Sequence, residues 1–176
     1  MTAADHLLTI GDGTRFTVRP IEPDDKPGLA SFFRRLSEES RRRRFLGPKP
    51  SLSKRDLAFL TEVDHRRHVA LVALDPCGAI VAVARYAGWP GEPGRAEIAF
   101  AVVDEWHGRG LAGALGERLV AHARASGMTA LTASTFALNE PAKGLLRRLG
   151  FLPMNTSAGV AEYELALGAA ALPAAA

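Results

Sequence analysis

The segment EWHGRGLAGAL, residues 105–115, places Gly108, Gly110 and Gly113 where an apolar strand-like run gives way to a helical one. Glycine costs about 0.5–1 kcal/mol relative to alanine inside regular structure, so this repetition indicates a backbone requirement. The first N–H groups of a helix have no intrahelical partner and lie at the positive end of the helix dipole. A strand, a glycine turn and a helix in this order therefore predict a binding site for an anion such as a phosphate, with Arg109 adding positive charge at its rim.

Two well-known nucleotide-binding motifs can be compared with this segment. The triphosphate motif GxxxxGK[ST] does not fit, because no lysine follows Gly113. The dinucleotide pattern GxGxxG matches residues 108–113, but the next predicted strand, 128–135, has no Asp or Glu to hold a ribose. The remaining interpretations are an anion site of another kind and a tight turn that binds no ligand.

Glu97 is the one ionisable residue in the strand-like run AEIAFAVV, residues 96–103. A continuous apolar run predicts a strand covered on both faces, which would bury this carboxyl group. Burying a carboxylate is unfavourable unless it is paired or protonated, and the loss of water favours the behaviour of a general base. Glu97 is therefore our candidate catalytic residue. The alternative is that it only pairs with an arginine at a sheet edge, such as Arg85 or Arg95.

The periodicity of apolar residues predicts the elements that hold these side chains, and their order predicts an α/β (α+β) mixed sheet flanked by helices. Strands are predicted over 6–10, 14–19, 68–74, 79–87, 96–103, 128–135 and 160–167. Helices are predicted after Asp24 or Asp25, over 37–44, after a capping box at 53–56, over 111–126 and over 141–149. Residues 96–135 are expected to form the parallel strand–helix–strand part of the sheet.

Length and composition are those of one globular domain. The chain has 176 residues, of which 47% are hydrophobic and 23% charged, and no apolar run approaches the roughly 20 residues of a membrane span. We expect residues 1–168 to form a single domain and residues 169–176, AAALPAAA, to form a disordered tail. The first residues lack the basic and apolar regions of a signal peptide, so we expect a cytoplasmic protein without a membrane partner.

The net charge of +3 is concentrated in four consecutive arginines, residues 41–44. Nucleic-acid-binding proteins spread such charge and interleave it with aromatic residues, so this run does not predict a nucleic-acid partner. It is typical of a solvated helix face with ion pairs four residues apart, Glu38 with Arg42 and Glu39 with Arg43. The histidines lack the spacing of metal ligands, and we predict no metal site.

Residues 96–151 resemble the GNAT superfamily of acyl-coenzyme A-dependent N-acyltransferases. The family signature Q/R-x-x-G-x-G/A opens a helix after a strand, and His107, Gly110 and Ala112 occupy its positions, with histidine in place of glutamine or arginine. A second family motif is N-x-x-A-x-x-L-x-x-x-x-G-F. Its positions are matched by Asn139, Ala142, Leu145, Gly150 and Phe151.

This resemblance implies a mostly antiparallel central sheet with helices on both faces, and acetyl-CoA as the co-substrate. It also implies that the pantetheine amides bond like an added strand to the backbone of Ala101, Val102 and Val103. Asn139 would contact the pantetheine arm. The pyrophosphate would lie in a cradle formed by His107, Gly108, Arg109, Gly110, Leu111, Ala112 and Gly113.

In an enzyme of this kind an amine attacks a thioester, and the amine must first lose a proton. A lysine with a pKa near 10.4 is neutral in about one molecule in 2,500 at pH 7. Glu97 would accept the proton directly or through a water. Many relatives carry a tyrosine as general acid directly after the leucine of the second motif, where this chain has Leu146. Water or another group such as Ser134 would then protonate the leaving thiolate.

Residues 33–41, FRRLSEESR, resemble a segment of bacterial protein lysine acetyltransferases, which also carry a glutamate at the place of Glu97. We therefore favour a protein lysine as the acceptor, with a small-molecule amine as the alternative. A third hypothesis is a sensor that binds acyl-CoA without turnover. Dimers are common among similar proteins, so a homodimer is a further expectation.

Overall fold

The structure, a computed structural model, describes residues 6–11 and 13–168. Its strands are β1 (His6–Thr9), β2 (Arg15–Pro20), β3 (His68–Leu74), β4 (Ile80–Gly88), β5 (Arg95–Val102), β6 (Ala130–Phe136), β7 (Leu152–Ser157) and β8 (Val160–Ala166). Its α-helices are α1 (Lys26–Arg35), α2 (Glu38–Phe45), α3 (Lys54–Thr61), α4 (Leu111–Ala125) and α5 (Glu140–Arg148). The tail that we expect to be disordered, 169–176, lies outside the described residues.

The strands form one sheet in the order β1-β2-β3-β4-β5-β6-β8-β7. Every neighbouring pair is antiparallel except β5 and β6, which are parallel and are joined through α4. The predicted fold class is therefore confirmed, as are the hairpin of β1 with β2 and that of β3 with β4.

Two consecutive residues of β4 show that helices cover both faces of the sheet. The Nη2 of Arg85 donates to the carbonyl oxygen of Leu60 in α3 at 3.1 Å. The hydroxyl of Tyr86 lies 2.8 Å from Nδ1 of His122 in α4. Because successive side chains of a strand point to opposite faces, α3 and α4 lie on opposite sides of the sheet.

Side-chain caps mark the predicted starts of α2 and α3, whereas Asp25, which precedes α1, makes no capping hydrogen bond. Ser37 precedes α2, and its Oγ accepts a hydrogen bond from the N–H of Ser40 at 3.2 Å. Ser53 and Asp56 form the predicted capping box at α3, with each side chain accepting from the other's backbone N–H at 3.1 and 2.7 Å. These bonds satisfy N–H groups that have no partner within the helix.

Strand β7 is missing from the sequence prediction. All six of its residues, LPMNTS, are exposed, and it pairs only with β8 at the edge of the sheet. A strand with neither face buried has no apolar alternation to reveal it, and Pro153 and Asn155 are poor strand formers. Only its partner strand determines its conformation.

No described helix is both long and apolar enough to cross a membrane. The longest, α4, has 15 residues, whereas a span of the hydrocarbon core needs about 20. Within the same part of the chain, no three His, Cys, Asp or Glu side chains form a group that could hold a metal ion.

Candidate active site

Two glycines shape the turn between β5 and α4. Gly108 has φ +71° and Gly110, the N-cap of α4, has φ +86°, a region that side chains other than glycine rarely adopt. A Cβ at either position would meet no atom within 4 Å, so the backbone angle and not crowding requires glycine. The N–H of Ala114 donates to the carbonyl of Gly110 at 3.1 Å as the first helical bond. The N–H groups of residues 111–113 precede it and are oriented to receive an anion.

The third glycine of the segment is not required by the turn. Gly113 lies within α4, and a Cβ there would only touch Cδ1 of Leu145 at 3.9 Å. The constrained glycine of the helix is Gly116, where a Cβ would lie 2.6 Å from Cδ1 of Leu149 and 3.2 Å from Cε1 of Phe100. Gly116 was not among the predicted residues, although a glycine within a predicted helix is a signal of close packing.

His107 and Arg109 brace the turn against its neighbours. The Nε2 of His107 lies 2.8 Å from the carbonyl oxygen of Val102, and because a carbonyl can only accept, Nε2 carries the proton. The guanidinium of Arg109 lies 4.7 Å from the ring centroid of Trp106, whose ring packs edge-on against Phe16 at 5.0 Å. The histidine that replaces the family's glutamine or arginine thus joins the turn to the end of β5.

The parallel pairing of β5 with β6 is short. It covers three residue pairs, the last being Glu97 with Thr132. Beyond it β5 continues along β4 and β6 continues along β8, so the facing edges of 98–102 and 133–136 are unpaired with each other. Helix α2 contacts both strands across this gap. An extended ligand could bond to such an open strand edge.

The backbone N–H and C=O groups of β5 point alternately towards β4 and towards the gap. The N–H of Val103 donates to the carbonyl of Val81 at 2.9 Å, so it points towards β4. Ala101, two residues earlier and opposite Val83, has the same orientation. Of the three residues that the resemblance assigned to pantetheine, only Val102 turns its backbone towards the gap, and because its carbonyl accepts from His107, its N–H is the group left for a ligand.

Glu97 lies at the last paired position before the strands separate. It is half-buried, because β6 leaves β5 directly after it, so the prediction of a strand covered on both faces is wrong here. The ion-pair alternative is also contradicted. Arg95 binds Glu164 at 2.5 Å and Glu92 at 3.5 Å, and Arg85 donates to a helix carbonyl. The side chain of Glu97 has no hydrogen bond or ion pair to any residue that the structure describes.

Half of the arginine run forms the expected solvated face. Arg42 and Arg43 both pair with Glu39, at 2.9 and 2.6 Å. The predicted pair of Glu38 with Arg42 does not form, because Arg42 turns to Glu39 and lies over the ring of Phe136 at 4.5 Å. These exposed pairs contribute little to stability.

The other two arginines turn inward, contrary to the sequence interpretation. Arg41 donates to the backbone carbonyls of Phe33, Arg34 and Leu36 at 3.1, 2.9 and 3.0 Å. Arg44 is half-buried and lines a cavity between the sheet and the helices. A helix of eight residues with four arginines gives no sequence signal for which of them point inward.

The charges near Glu97 act on one another. Burial lowers the pKa of Arg44, and the negative charge of Glu97 opposes that decrease. The pKa of Arg85 is lowered to about 9, mainly by burial and to a smaller extent by the positive charge of Arg44. The pKa of His68 is lowered to about 4, mainly by burial and to a smaller extent by the positive charge of Arg85. This imidazole is therefore neutral at pH 7. Its Nε2 lies 3.3 Å from Nη1 of Arg85 and accepts its hydrogen bond.

Asn139 serves as the N-cap of α5. Its side-chain oxygen accepts from the N–H of Ala142 at 3.4 Å, and its Nδ2 donates to Oγ1 of Thr135 at 3.1 Å. Both ends of this buried amide are therefore used within the protein. Leu146, at the position of the family's tyrosine, is buried in the core and has no proton to give.

A groove of about 340 Å³ lies over β6 and β8, and it includes the strand partner of Glu97 but not Glu97 itself. Its walls include Trp89, Thr132, Ser134 and three carboxylates, those of Glu92, Glu162 and Glu164. Thr132 is the strand partner of Glu97, so both side chains lie on the same face of the sheet. Glu162 is exposed and has no ion pair within the described ranges. The sequence alone does not reveal this groove, because Glu92 lies in the loop before β5 whereas Glu162 and Glu164 lie on β8, about 70 residues later in the chain.

Known proteins resemble this chain over most of its length. A sequence profile described as the Acetyltransferase (GNAT) family matches residues 32–151. An acetyltransferase of Pseudomonas aeruginosa is 32% identical over 152 residues, which are 84% of this chain and 81% of that protein. The acetyltransferase Pat of Mycolicibacterium smegmatis is 28% identical over 160 residues, which are 90% of this chain. The chain spans about half, 47%, of that relative.

Solved structures also resemble this chain over most of its length. The GNAT domain of PAT from S. lividans superposes with a TM-score of 0.86 at 31% identity, covering 92% of this chain and 96% of that domain. A cAMP-binding acyltransferase from Mycobacterium smegmatis superposes with a TM-score of 0.67 at 25% identity, covering 96% of this chain and 48% of that protein. The extent of the profile match, with a 32% identical relative, shows that the chain belongs to the Acetyltransferase (GNAT) family.

Proposed function

We propose that this acetyltransferase transfers the acetyl group of acetyl-CoA directly to a primary amine, with Glu97 as general base and a protein lysine as the acceptor. GNAT enzymes use acetyl-CoA as co-substrate. The observation that carries the proposal is the position of Glu97. Its carboxylate is half-buried, forms no ion pair with any described residue, and lies where β5 and β6 separate.

The turn and the gap would hold the two ends of the co-substrate. The pyrophosphate would accept hydrogen bonds from the N–H groups of 111–113, with Arg109 at the rim. The pantetheine arm would then follow the unpaired edge of β5, where Val102 turns its backbone outward. This route would bring the thioester to the part of β5 that follows Glu97.

Glu97 would accept a proton from the incoming ammonium, directly or through a water. The neutral nitrogen then attacks the carbonyl carbon, the carbon–nitrogen bond forms, and the carbon–sulfur bond breaks with its electron pair leaving on sulfur. A thiol with a pKa near 8.5 is a tolerable leaving group. Because Leu146 cannot act as an acid, the thiolate would take its proton from water or through Ser134, which lines the groove.

The groove over β6 and β8 supports a cationic acceptor. It has three carboxylates against one guanidinium, that of Arg95, which pairs with Glu92 and Glu164. Glu162 remains to attract an ammonium. A small-molecule amine is the second candidate, because a volume of about 340 Å³ also lies within the range of small-ligand sites.

The test follows thiol release from acetyl-CoA with lysine peptides and with small primary amines. Removing a general base lowers the rate by about 10²–10⁴-fold, so Glu97→Gln should lose that factor while its affinity for acetyl-CoA, measured by calorimetry, is unchanged. Glu117→Gln, an exposed carboxylate on α4, is the matched control and should keep the wild-type rate.

Equal rates for the wild type and Glu97→Gln would remove Glu97 from the mechanism. Binding of acetyl-CoA without turnover on any amine would favour the sensor. Turnover on small amines alone would exclude a protein acceptor.

We further propose that residues 1–168 act as one domain, since strands from residues 6 to 166 share one sheet. The homodimer is also a proposal. The edge strand β7, with Leu152 68% and Met154 64% exposed, offers a surface for it, and size-exclusion chromatography with light scattering tests it.

A further inference from the structure

A small cavity of about 30 Å³ lies between the sheet and helices α1, α2 and α3. Its walls are mostly apolar and include Phe33 of α1 and Val83 of β4. Two arginines also line it, Arg44 from α2 and Arg85 from β4. We call it the arginine cavity. Guanidinium groups are unusual in a wall of this kind, since buried charges are normally paired.

Neither arginine has a carboxylate bound to it. Arg85 is 5% exposed and donates to the carbonyl of Leu60 and to neutral His68. Arg44 lies over the ring of Phe45 at 4.9 Å and has no hydrogen bond or ion pair to the part of the chain that the structure describes. Glu97 acts on Arg44 only through its field. The cavity wall holds these two guanidinium groups and no carboxylate. With Glu97 acting on Arg44 from outside the wall, the two arginines keep an excess of one positive charge.

The cavity also lies directly against the strand that would carry the thioester. Ala101 of β5 is part of its wall, opposite Val83. The next residue, Val102, turns its backbone to the gap between β5 and β6. An acyl chain that leaves a thioester at this edge and continues past Ala101 would enter the arginine cavity. This placement rests on the proposed function.

We propose that the arginine cavity receives the free carboxylate of a short dicarboxylic acyl group, so that the enzyme prefers malonyl- or succinyl-CoA to a neutral acyl-CoA of similar length. A carboxylate would cancel the excess charge, and the planar guanidinium can hold it through two parallel hydrogen bonds. A volume of about 30 Å³ accommodates about two water-sized groups, the size of a carboxylate.

Transfer of a dicarboxylic acyl group forms and breaks the same bonds as acetyl transfer. The nitrogen replaces sulfur at the thioester carbon, the proton goes to Glu97, and the distal carboxylate is unchanged in the product, an amide with a free acid. The negative charge of the distal carboxylate determines which acyl group binds and takes no part in bond making.

Calorimetry tests this selection without requiring turnover. The dissociation constants of malonyl-, succinyl-, acetyl- and butyryl-CoA are measured for the wild type, Arg44→Gln and Arg43→Gln. A charge-assisted hydrogen bond changes affinity by about tenfold to a hundredfold, so the wild type should bind succinyl- or malonyl-CoA at least tenfold more tightly than butyryl-CoA. Arg44→Gln should bring that ratio close to one. Arg43→Gln, an exposed arginine of the same helix, should leave it unchanged.

Arg44→Lys is the second variant, because it keeps the charge and loses the planar fork. It should retain part of the preference, and it provides the test if Arg44→Gln does not fold. Equal affinities for dicarboxylic and neutral thioesters in the wild type would overturn this inference and leave acetyl transfer intact. A preference that survives both variants of Arg44 would also overturn it. Failure to bind any of the four thioesters would overturn the proposed function itself.

Discussion

Strands β4 and β5 are neighbours in one sheet, yet they differ in how they are packed. Seven consecutive residues of β4, from Ile80 to Tyr86, are buried, whereas the last four residues of β5 are only half-buried. Strand β4 has a strand on each side and a helix on each face, while β5 loses β6 after Glu97. The difference teaches that the closed part of the sheet supplies stability, and that the proposed site lies where β5 loses a partner.

The largest expected effect comes from comparing a substitution in buried β4 with the same substitution in the open part of β5. Val81→Ala removes methyl groups from a fully buried site in β4 and should lower the free energy of unfolding by about 2–3 kcal/mol. Val102→Ala makes the same change at a half-buried position of β5 and should cost less than about 1 kcal/mol. Urea unfolding of both variants measures the difference. Equal losses would contradict the division of the sheet into two parts.

A second pair of variants examines how closely α4 covers the open part of β5. Gly113→Ala and Gly116→Ala share the gain in helix propensity, but only the second forces a Cβ against Leu149 and Phe100. Overpacking should make Gly116→Ala less stable than Gly113→Ala by about 1–2 kcal/mol. Chemical denaturation checks this, and equal stabilities would mean that α4 can move away from β5.

The smallest effect concerns a titrating group in the closed part. His68 has a pKa of about 4 in the folded protein, below the value of about 6.5 expected for the unfolded chain. Between these values only the unfolded chain binds the proton, so stability is full above pH 6.5 and falls as the pH decreases towards 4. After allowance for solvent screening the loss from pH 7 to pH 5 should be roughly 1 kcal/mol.

His68→Gln should remove that part of the pH dependence. Unfolding curves at pH 7 and pH 5 for both proteins give the two slopes. The other histidines are present in each, so the difference reports His68 alone, and parallel slopes would show that it is protonated in the folded state.

Much of the fold follows from local signals in the chain. Apolar periodicity predicts seven of the eight strands, and the capping box at Ser53 predicts where α3 begins. Strand β7 gives no such signal because no face of it is buried. Local patterns report burial and turns, and they fail where only a partner strand determines conformation.

The site is less predictable, because it depends on how distant elements meet. The glycine turn and Glu97 stand out in the sequence, the first by composition and the second as the one charge in an apolar run. The early end of the β5–β6 pairing, the inward turn of Arg44 and the carboxylates around the groove do not. Each follows from packing between residues far apart in the chain.

Helix α2 contacts β5 and β6 on either side of their gap, with Arg42 lying over Phe136. The gap is therefore maintained by packing within the protein itself. Separation of the two strands is therefore part of folding, and its free-energy cost does not recur at each binding event. If acetyl-CoA binds there as proposed, it meets a preorganised cleft, and we expect diffusion and orientation to limit its association in place of an opening step.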